Sequence, residues 1–360
     1  MNIKTRGRGA LSNHEGRFAR VTRERDLGEN DDDRLDDEEG NEPTQLHIDT
    51  SRTVIARNSS PDLPFSQSVN PYRGCEHGCI YCYARTTHAY LDLSPGRDFE
   101  TQIFYKPNAR NLLRAELARP GYTVSPLALG TNTDPYQPVE RTLAITRGLL
   151  ELLLELQHPV TIVTKGTLIL RDLDLLAALA AKGLVAVTVS LTTLDAELKR
   201  NMEPRTAGPK RRLQMIEALA QHGVPTGVLT APIIPGLNDH ELERMLELAA
   251  AHGAQSAGYV LLRLPHEVEG LFVEWLDAHY PDRSRHVQSL LRQMRGGKLN
   301  EGRFHARQRG MGPFAALLEA RFERARDRHG LNRPAVLNTG SFRAPQVSGS
   351  QLDLWGAEHS

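Results

Sequence analysis

Between residues 66 and 262 the chain alternates six short apolar runs with longer amphipathic ones, and this alternation limits the folds open to it more than any other feature. The runs fall at 66–69, 124–129, 160–164, 185–191, 226–233 and 257–262, each bounded by Gly, Pro, Thr or Asn. Runs of that length with such boundaries read as strands. The stretches 83–91, 140–157, 173–181, 210–222 and 240–251 read as helices. The second of these is apolar nearly all round, which predicts deep burial. Strands separated by helices pair in parallel through right-handed crossovers. The fold class is therefore α/β, as a partial barrel or a doubly wound sheet, and periodicity does not choose between them. In both, chemistry gathers at the C-terminal ends of the strands. The unusual loops lie there: three cysteines after strand one, TNTDPYQP (131–138) after strand two, Thr164 and Lys165 after three, residues 190–193 after four and 232–238 after five.

The 360 residues suffice for one such domain with appendages. Residues 1–50 are polar and without sustained periodicity, and read as a flexible charged arm. After Pro265 the pattern becomes helical at 267–280, 284–294 and 313–329, so that 266–335 forms a helical extension and 336–360 a tail. The formal net charge is zero but segregated. Residues 31–39 carry seven acids against one Arg, whereas 283–333 carry 13 Lys and Arg against 4 Asp and Glu. The basic stretch is either a phosphate-binding surface or a solvated helical one. No run of about 18 apolar residues predicts a membrane span, and the charged start MNIKTRGRGA has no secretory h-region. A reducing, cytoplasmic setting is the expectation.

All three cysteines fall within eight residues, as Cys75-Glu-His-Gly-Cys79-Ile-Tyr-Cys82. A disulfide framework wants an even number spread along the chain, so this cluster points to a metal. Thiolates suit iron–sulfur clusters, and three ligands for four irons leave one iron open to a cofactor or substrate. Three other readings stand beside it: a Cys3His zinc site completed by His77, a redox pair of Cys79 and Cys82, and incidental core cysteines.

The spacing C-x3-C-x-aromatic-C resembles the signature of the radical S-adenosylmethionine (SAM) superfamily, and the resemblance extends over about 60–265. The segments NPYRGCEHGCIYCYAR, TNTDPYQPVE, TKGTLILRD, SLTT, EPRT and APIIPGLND are similar to the branch that includes spore photoproduct lyase and its relatives. The resemblance implies a partial (β/α)6 TIM-like barrel as a radical SAM core over 51–265. It implies a [4Fe–4S] cluster on Cys75, Cys79 and Cys82, with the SAM amine and carboxylate on the open iron. One electron from a low-potential donor then cleaves SAM to methionine and a 5′-deoxyadenosyl radical, which abstracts hydrogen from the substrate. By motif position, Tyr81 lies beside the adenine and Ser190 near the ribose. Thr133 and Lys165 hydrogen-bond the methionine carboxylate or ribose, and Arg205 pairs with that carboxylate. Spore photoproduct lyase uses a fourth cysteine after strand two as hydrogen donor. Here residues 130–134 hold none, which excludes the same route; Tyr136 is either a substitute donor or a packed aromatic.

Near the C-terminus, Gln351, Leu352, Leu354 and Trp355 form an apolar pentapeptide with Asp353 in a polar tail. It resembles the bacterial sliding-clamp-binding motif, in which such residues fill a preformed groove; a tail folded back on its own barrel is the alternative. Together these features give three readings. The first is a radical SAM enzyme acting on nucleic acid in a repair-like reaction. The second is one acting on a small molecule or a protein. The third is a non-catalytic iron–sulfur protein associated with the clamp.

Overall fold

The computed structural model describes residues 7–19 and 42–345. Among the described residues, ten strands form two sheets: β1 Gln45–Ile48, β2 Ile55–Arg57, β3 Gln67–Val69, β4 Tyr72–Arg73, β5 Gln102–Tyr105, β6 Leu127–Leu129, β7 Val160–Thr164, β8 Val185–Ser190, β9 Thr226–Ile233 and β10 Ser256–Leu261. The larger sheet runs β10-β9-β8-β7-β6-β3-β2. Its six strands from β3 to β10 are parallel and lie in chain order, while β2 pairs with β3 antiparallel. An order without reversal has no switch point, so the sheet is singly wound. This decides for the open (β/α)6 arrangement over the doubly wound one.

Alternation along the strands explains the layering. On β7 the side chains of Val160 and Ile162 are buried, as are Val185, Val187 and Val189 on β8. They share one apolar core with Leu149, Leu150, Leu152 and Leu153 of the helix Ile145–Glu155. Truncating any one such leucine to alanine costs about 2–5 kcal/mol. The intervening Thr161, Val163, Ala186 and Thr188 lie on the other face and stay half exposed, which leaves the concave side lined by small residues.

Several elements depart from expectation. The helix predicted over 140–157 is broken at Ala144, whose φ is 50°. The Glu140 carboxylate there accepts from the Thr146 amide at 3.0 Å and from the Tyr72 hydroxyl, so it caps the second helix and holds β4 at once. Strand two starts at Leu127 and not at 124, because Pro126 has no N–H to offer a neighbour. Residues 98–117, for which periodicity suggests nothing, supply the helix Asp98–Thr101, β5 and the helix Ala109–Leu117. The small sheet β1-β5-β4 results.

Of the flexible arm expected over residues 1–50, the described parts 7–19 and 42–50 are packed on the rest of the chain. Residues 7–19 lie along the protein, and β1 pairs in parallel with β5. Glycine and small polar residues carry no periodicity, yet their backbone amides find buried acceptors, as detailed below. At the other end, the Ala257 amide donates to Leu331 O at 3.0 Å, Asn338 N to Gly183 O at 2.8 Å and Arg343 N to Leu156 O at 2.8 Å. Residues 331–343 thus cross the turns that precede β10, β8 and β7, at the N-terminal rim of the sheet. The pentapeptide Gln351–Trp355 lies outside the described residues. Among the described residues no helix is long and apolar enough to cross a membrane.

Candidate functional site

The cysteine loop follows β4 at the C-terminal rim. Two left-handed glycines bend it, Gly74 with φ 80° and Gly78 with φ 66°. A Cβ on Gly74 would sit 3.0 Å from His88, Ile103 and the Phe99 carbonyl, so the turn also requires a residue without a side chain. The loop's own backbone is pinned on every side. Cys75 N donates to Phe99 O at 2.9 Å and Ile80 N to Met202 O at 3.1 Å. Glu76 N donates to Gln137 Oε1 at 2.9 Å, and Arg85 Nε to Cys79 O at 2.9 Å.

The three cysteines are unpaired; Cys75 and Cys79 are buried and Cys82 partly so. Burial pushes the thiols up, Cys79 to about 12 with Glu203 adding to the effect, and Cys75 well above its ordinary range with Asp134 adding to the effect. Thiolates in such a place need bound positive charge, which iron would supply. Among the described residues no three His, Cys, Asp or Glu side chains converge to hold a single metal ion. A cubane takes its three thiolates at separate irons. The donor set fits an iron–sulfur cluster.

Around the loop stand two buried polar networks. In the first, Asp134 gathers the loops after strands one, two and three: it accepts from Thr164 Oγ1 at 2.6 Å and Lys165 N at 2.8 Å, and pairs with His77 Nδ1 at 3.2 Å. Burial alone would raise this carboxyl, but His77 and these donors hold it down to about 2. In the second, Glu203 accepts from the Tyr81 hydroxyl and from Thr192 Oγ1 at 2.7 Å, and is ion-paired with Arg212. Arg212 Nη1 also donates to Ser190 O at 3.0 Å.

Of the expected cofactor-binding residues, Tyr81, Lys165 and Ser190 meet around this second network. The Lys165 ammonium lies 5.8 Å from the centre of the Tyr81 ring. Thr133 is turned onto the cysteine loop, its hydroxyl donating to Gly74 O at 2.7 Å. Arg205 pairs with Glu76 at 3.2 Å, and the other oxygen of that carboxylate, Oε2, is buried without a partner. Tyr136 packs into the main apolar core.

The radical SAM superfamily matches residues 69–249, half of the chain. The chain belongs to the radical SAM superfamily. An uncharacterised protein of Mycobacterium tuberculosis strain H37Rv is 42% identical over 233 residues, covering 64% of this chain and 68% of the relative. An uncharacterised protein of Methanocaldococcus jannaschii is 25% identical over 173 residues, covering 48% and 62%. Among solved structures, spore photoproduct lyase complexed with dinucleoside spore photoproduct superimposes with a TM-score of 0.56 at 17% identity, over 79% of each chain. A mutant of the same lyase with bound AdoMet and dinucleoside spore photoproduct gives 0.58 at 14% identity, over 81% and 82%. These structures share the fold of this radical SAM protein, and the family implies SAM and an iron–sulfur cluster.

Sequence reasoning overlooked Asp134, Glu203, Arg212 and Gln137, all of which hold the site together. Each is a polar residue inside a motif or on a helix, where the ordinary expectation is a solvated side chain. A buried partner far along the chain reverses that expectation, and periodicity carries no sign of it. Glu203 stands two residues before Arg205 in EPRT, so the motif itself held the missing signal.

Proposed function

We propose that this radical SAM enzyme holds a [4Fe–4S] cluster on Cys75, Cys79 and Cys82 and acts on nucleic acid in a repair-like reaction. One observation carries the cluster: three unpaired thiols on a single bent loop at the C-terminal rim of a parallel six-stranded sheet. When bound, cluster and SAM together supply one-electron cleavage and hydrogen abstraction. The residues of the chain hold and orient. Tyr81 offers its ring face beside the cluster loop, with Glu203 fixing its hydroxyl. Arg205 would pair with the SAM carboxylate, Lys165 would bond that carboxylate or the ribose, and Ser190, the last residue of β8, would meet the ribose.

The fold shared with a lyase solved on a dinucleoside photoproduct supports the nucleic-acid reading, as does the basic stretch 283–333. The route differs from that lyase's, since no cysteine follows strand two. A small-molecule or protein substrate is the second reading. It is favoured by the internal pairing of Arg307 with Asp62 at 2.5 Å and Arg303 with Glu301 at 2.8 Å, which draws these cations away from a ligand. The reading further includes a cytoplasmic setting, a low-potential electron donor and recruitment to a sliding clamp by Gln351, Leu352, Leu354 and Trp355.

The test is anaerobic reconstitution, reduction with dithionite and detection of 5′-deoxyadenosine, with and without DNA, beside a Cys79→Ala control. Product that requires Cys79 and rises with DNA supports the whole reading. Product indifferent to DNA moves the second reading to first place. A cluster without any product favours the clamp-associated scaffold.

A further inference from the structure

The N-terminal segment contacts the cluster loop more closely than a dispensable arm would. Gly9 N and Ala10 N each donate to the Glu100 carboxylate at 2.9 Å, one to each oxygen. Glu100 is fully buried and ion-paired with the equally buried Arg85, whose Nε holds the Cys79 carbonyl at 2.9 Å. Arg8 Nη1 adds a bond to Glu100 O at 2.8 Å. The approach is so close that a Cβ on Gly9 would stand 1.7 Å from the Gly78 carbonyl oxygen, between two of the cysteines. Ala10 has no exposed surface and joins the apolar cluster containing Cys79, Ile80 and Tyr81. Beyond it, Asn13 Nδ2 donates to Asp98 at 2.8 Å, Arg97 to Leu11 O at 2.8 Å, and Ser12 Oγ to Glu274 at 2.5 Å.

We propose that residues 8–13 are a built part of the cluster site, a strap that seals the outer side of the cysteine loop and limits access of water and chelators to its iron. The inference rests on the cluster reading above. Three features distinguish a strap from a passing contact. Its amides end on a buried charge, and such bonds are costly to leave unmade. Its glycine faces a second glycine, so backbone meets backbone with no side chain between them. Its anchors reach both sides of the loop, the 94–100 turn on one and the helix Glu267–His279 on the other.

The experiment uses the full chain with its reconstituted cluster. Under anaerobic conditions the visible absorbance of the cluster is followed after addition of EDTA, for wild type, Gly9→Val and a control, Gly302→Ala, where a Cβ meets open space. The expected result is bleaching about tenfold faster in Gly9→Val and unchanged in the control, the factor set by losing one hydrogen bond to a charged group. Bleaching at the wild-type rate in Gly9→Val overturns the strap. Should that variant fail to fold, hydrogen exchange on the wild type decides. Slow exchange at Gly9 and Ala10, matching the cysteine loop, supports the strap, and exchange at the unprotected rate overturns it. If wild type takes up no iron, the cluster reading itself falls and the strap falls with it.

Discussion

Glu203 and Arg212 form a fully buried ion pair at the base of the candidate site, and the Tyr81 hydroxyl donates to the same carboxylate. Burial would raise the Glu203 carboxyl, yet Arg212, Lys165 and Tyr81 hold it down to about 2. The pair thereby links the aromatic residue before the last cysteine to the end of β8, through Ser190 O, and to the turn that follows Met202. Neither partner contributes much to net stability as a charge, but each is costly to leave alone.

Breaking this pair from one side therefore unfolds the chain more readily than removing it altogether. Glu203→Met or Arg212→Met alone is expected to lower stability by about 3–5 kcal/mol. The double replacement Glu203→Met with Arg212→Met loses clearly less than the sum of the singles. Urea unfolding of the four proteins measures the coupling directly. Additive losses would mean that the two side chains act independently.

If Arg205 pairs with the SAM carboxylate as proposed, it is shared between that group and Glu76, which holds it at 3.2 Å. Arg205→Ala is expected to weaken SAM binding about 10–100-fold, the worth of a hydrogen bond to a charged group. Arg205→Lys should recover only part of it, since an ammonium lacks the planar fork. Equilibrium dialysis with reconstituted protein reads the affinity without turnover. Wild-type binding by Arg205→Ala would remove this residue from the SAM site.

Gly130 stands at the turn after β6 with φ 89°, and a Cβ there would lie 2.0 Å from the Val163 carbonyl of β7. The close approach holds the loop after strand two, which carries Asp134, against β7. Gly130→Ala combines a left-handed backbone, about 1–2 kcal/mol, with that collision, so a loss of at least about 2 kcal/mol is expected. Thermal unfolding against Gly148→Ala, where a Cβ meets nothing, makes the comparison.

His158 is buried, bonded to the Tyr122 hydroxyl at 2.9 Å and packed edge-on against Phe342. Burial lowers its pKa from 6.5 to about 4, although the bond to Pro159 O works the other way. A lowered histidine pKa means that the unfolded chain takes up the proton first. Its contribution to stability is thus complete above pH 6.5 and disappears as the pH falls toward 4. The expected loss across that window is about 2–3 kcal/mol. Replacement by Phe should flatten this part of the stability profile in urea titrations between pH 4 and 7. An unchanged slope would show that the proton binds elsewhere.

Much of this architecture is legible in the sequence, for a local reason. Strand and helix periodicity depends on which face each residue presents, so the six βα units from Gln67 to Leu261 emerge from the residues themselves. The cysteine spacing is local too, because Cys75, Cys79 and Cys82 must serve one loop. What periodicity does not carry is the partner of a polar residue. Glu100 reads as a surface acid until Arg85 and the amides of Gly9 and Ala10 enclose it. Glu140 reads as the first residue of one long helix until Thr146 and Tyr72 make it a cap for a second one. The order of strands is equally non-local: alternation predicts parallel pairing, but only the assembled sheet shows that the chain never reverses across it. The sequence by itself determined the six βα units and the cysteine loop, since both follow from neighbours along the chain. Only the tertiary structure decided the open single winding, the buried carboxylates that brace the site and the strap across the cysteines. These depend on residues tens to hundreds of positions apart whose burial converts ordinary polar groups into obligatory partners.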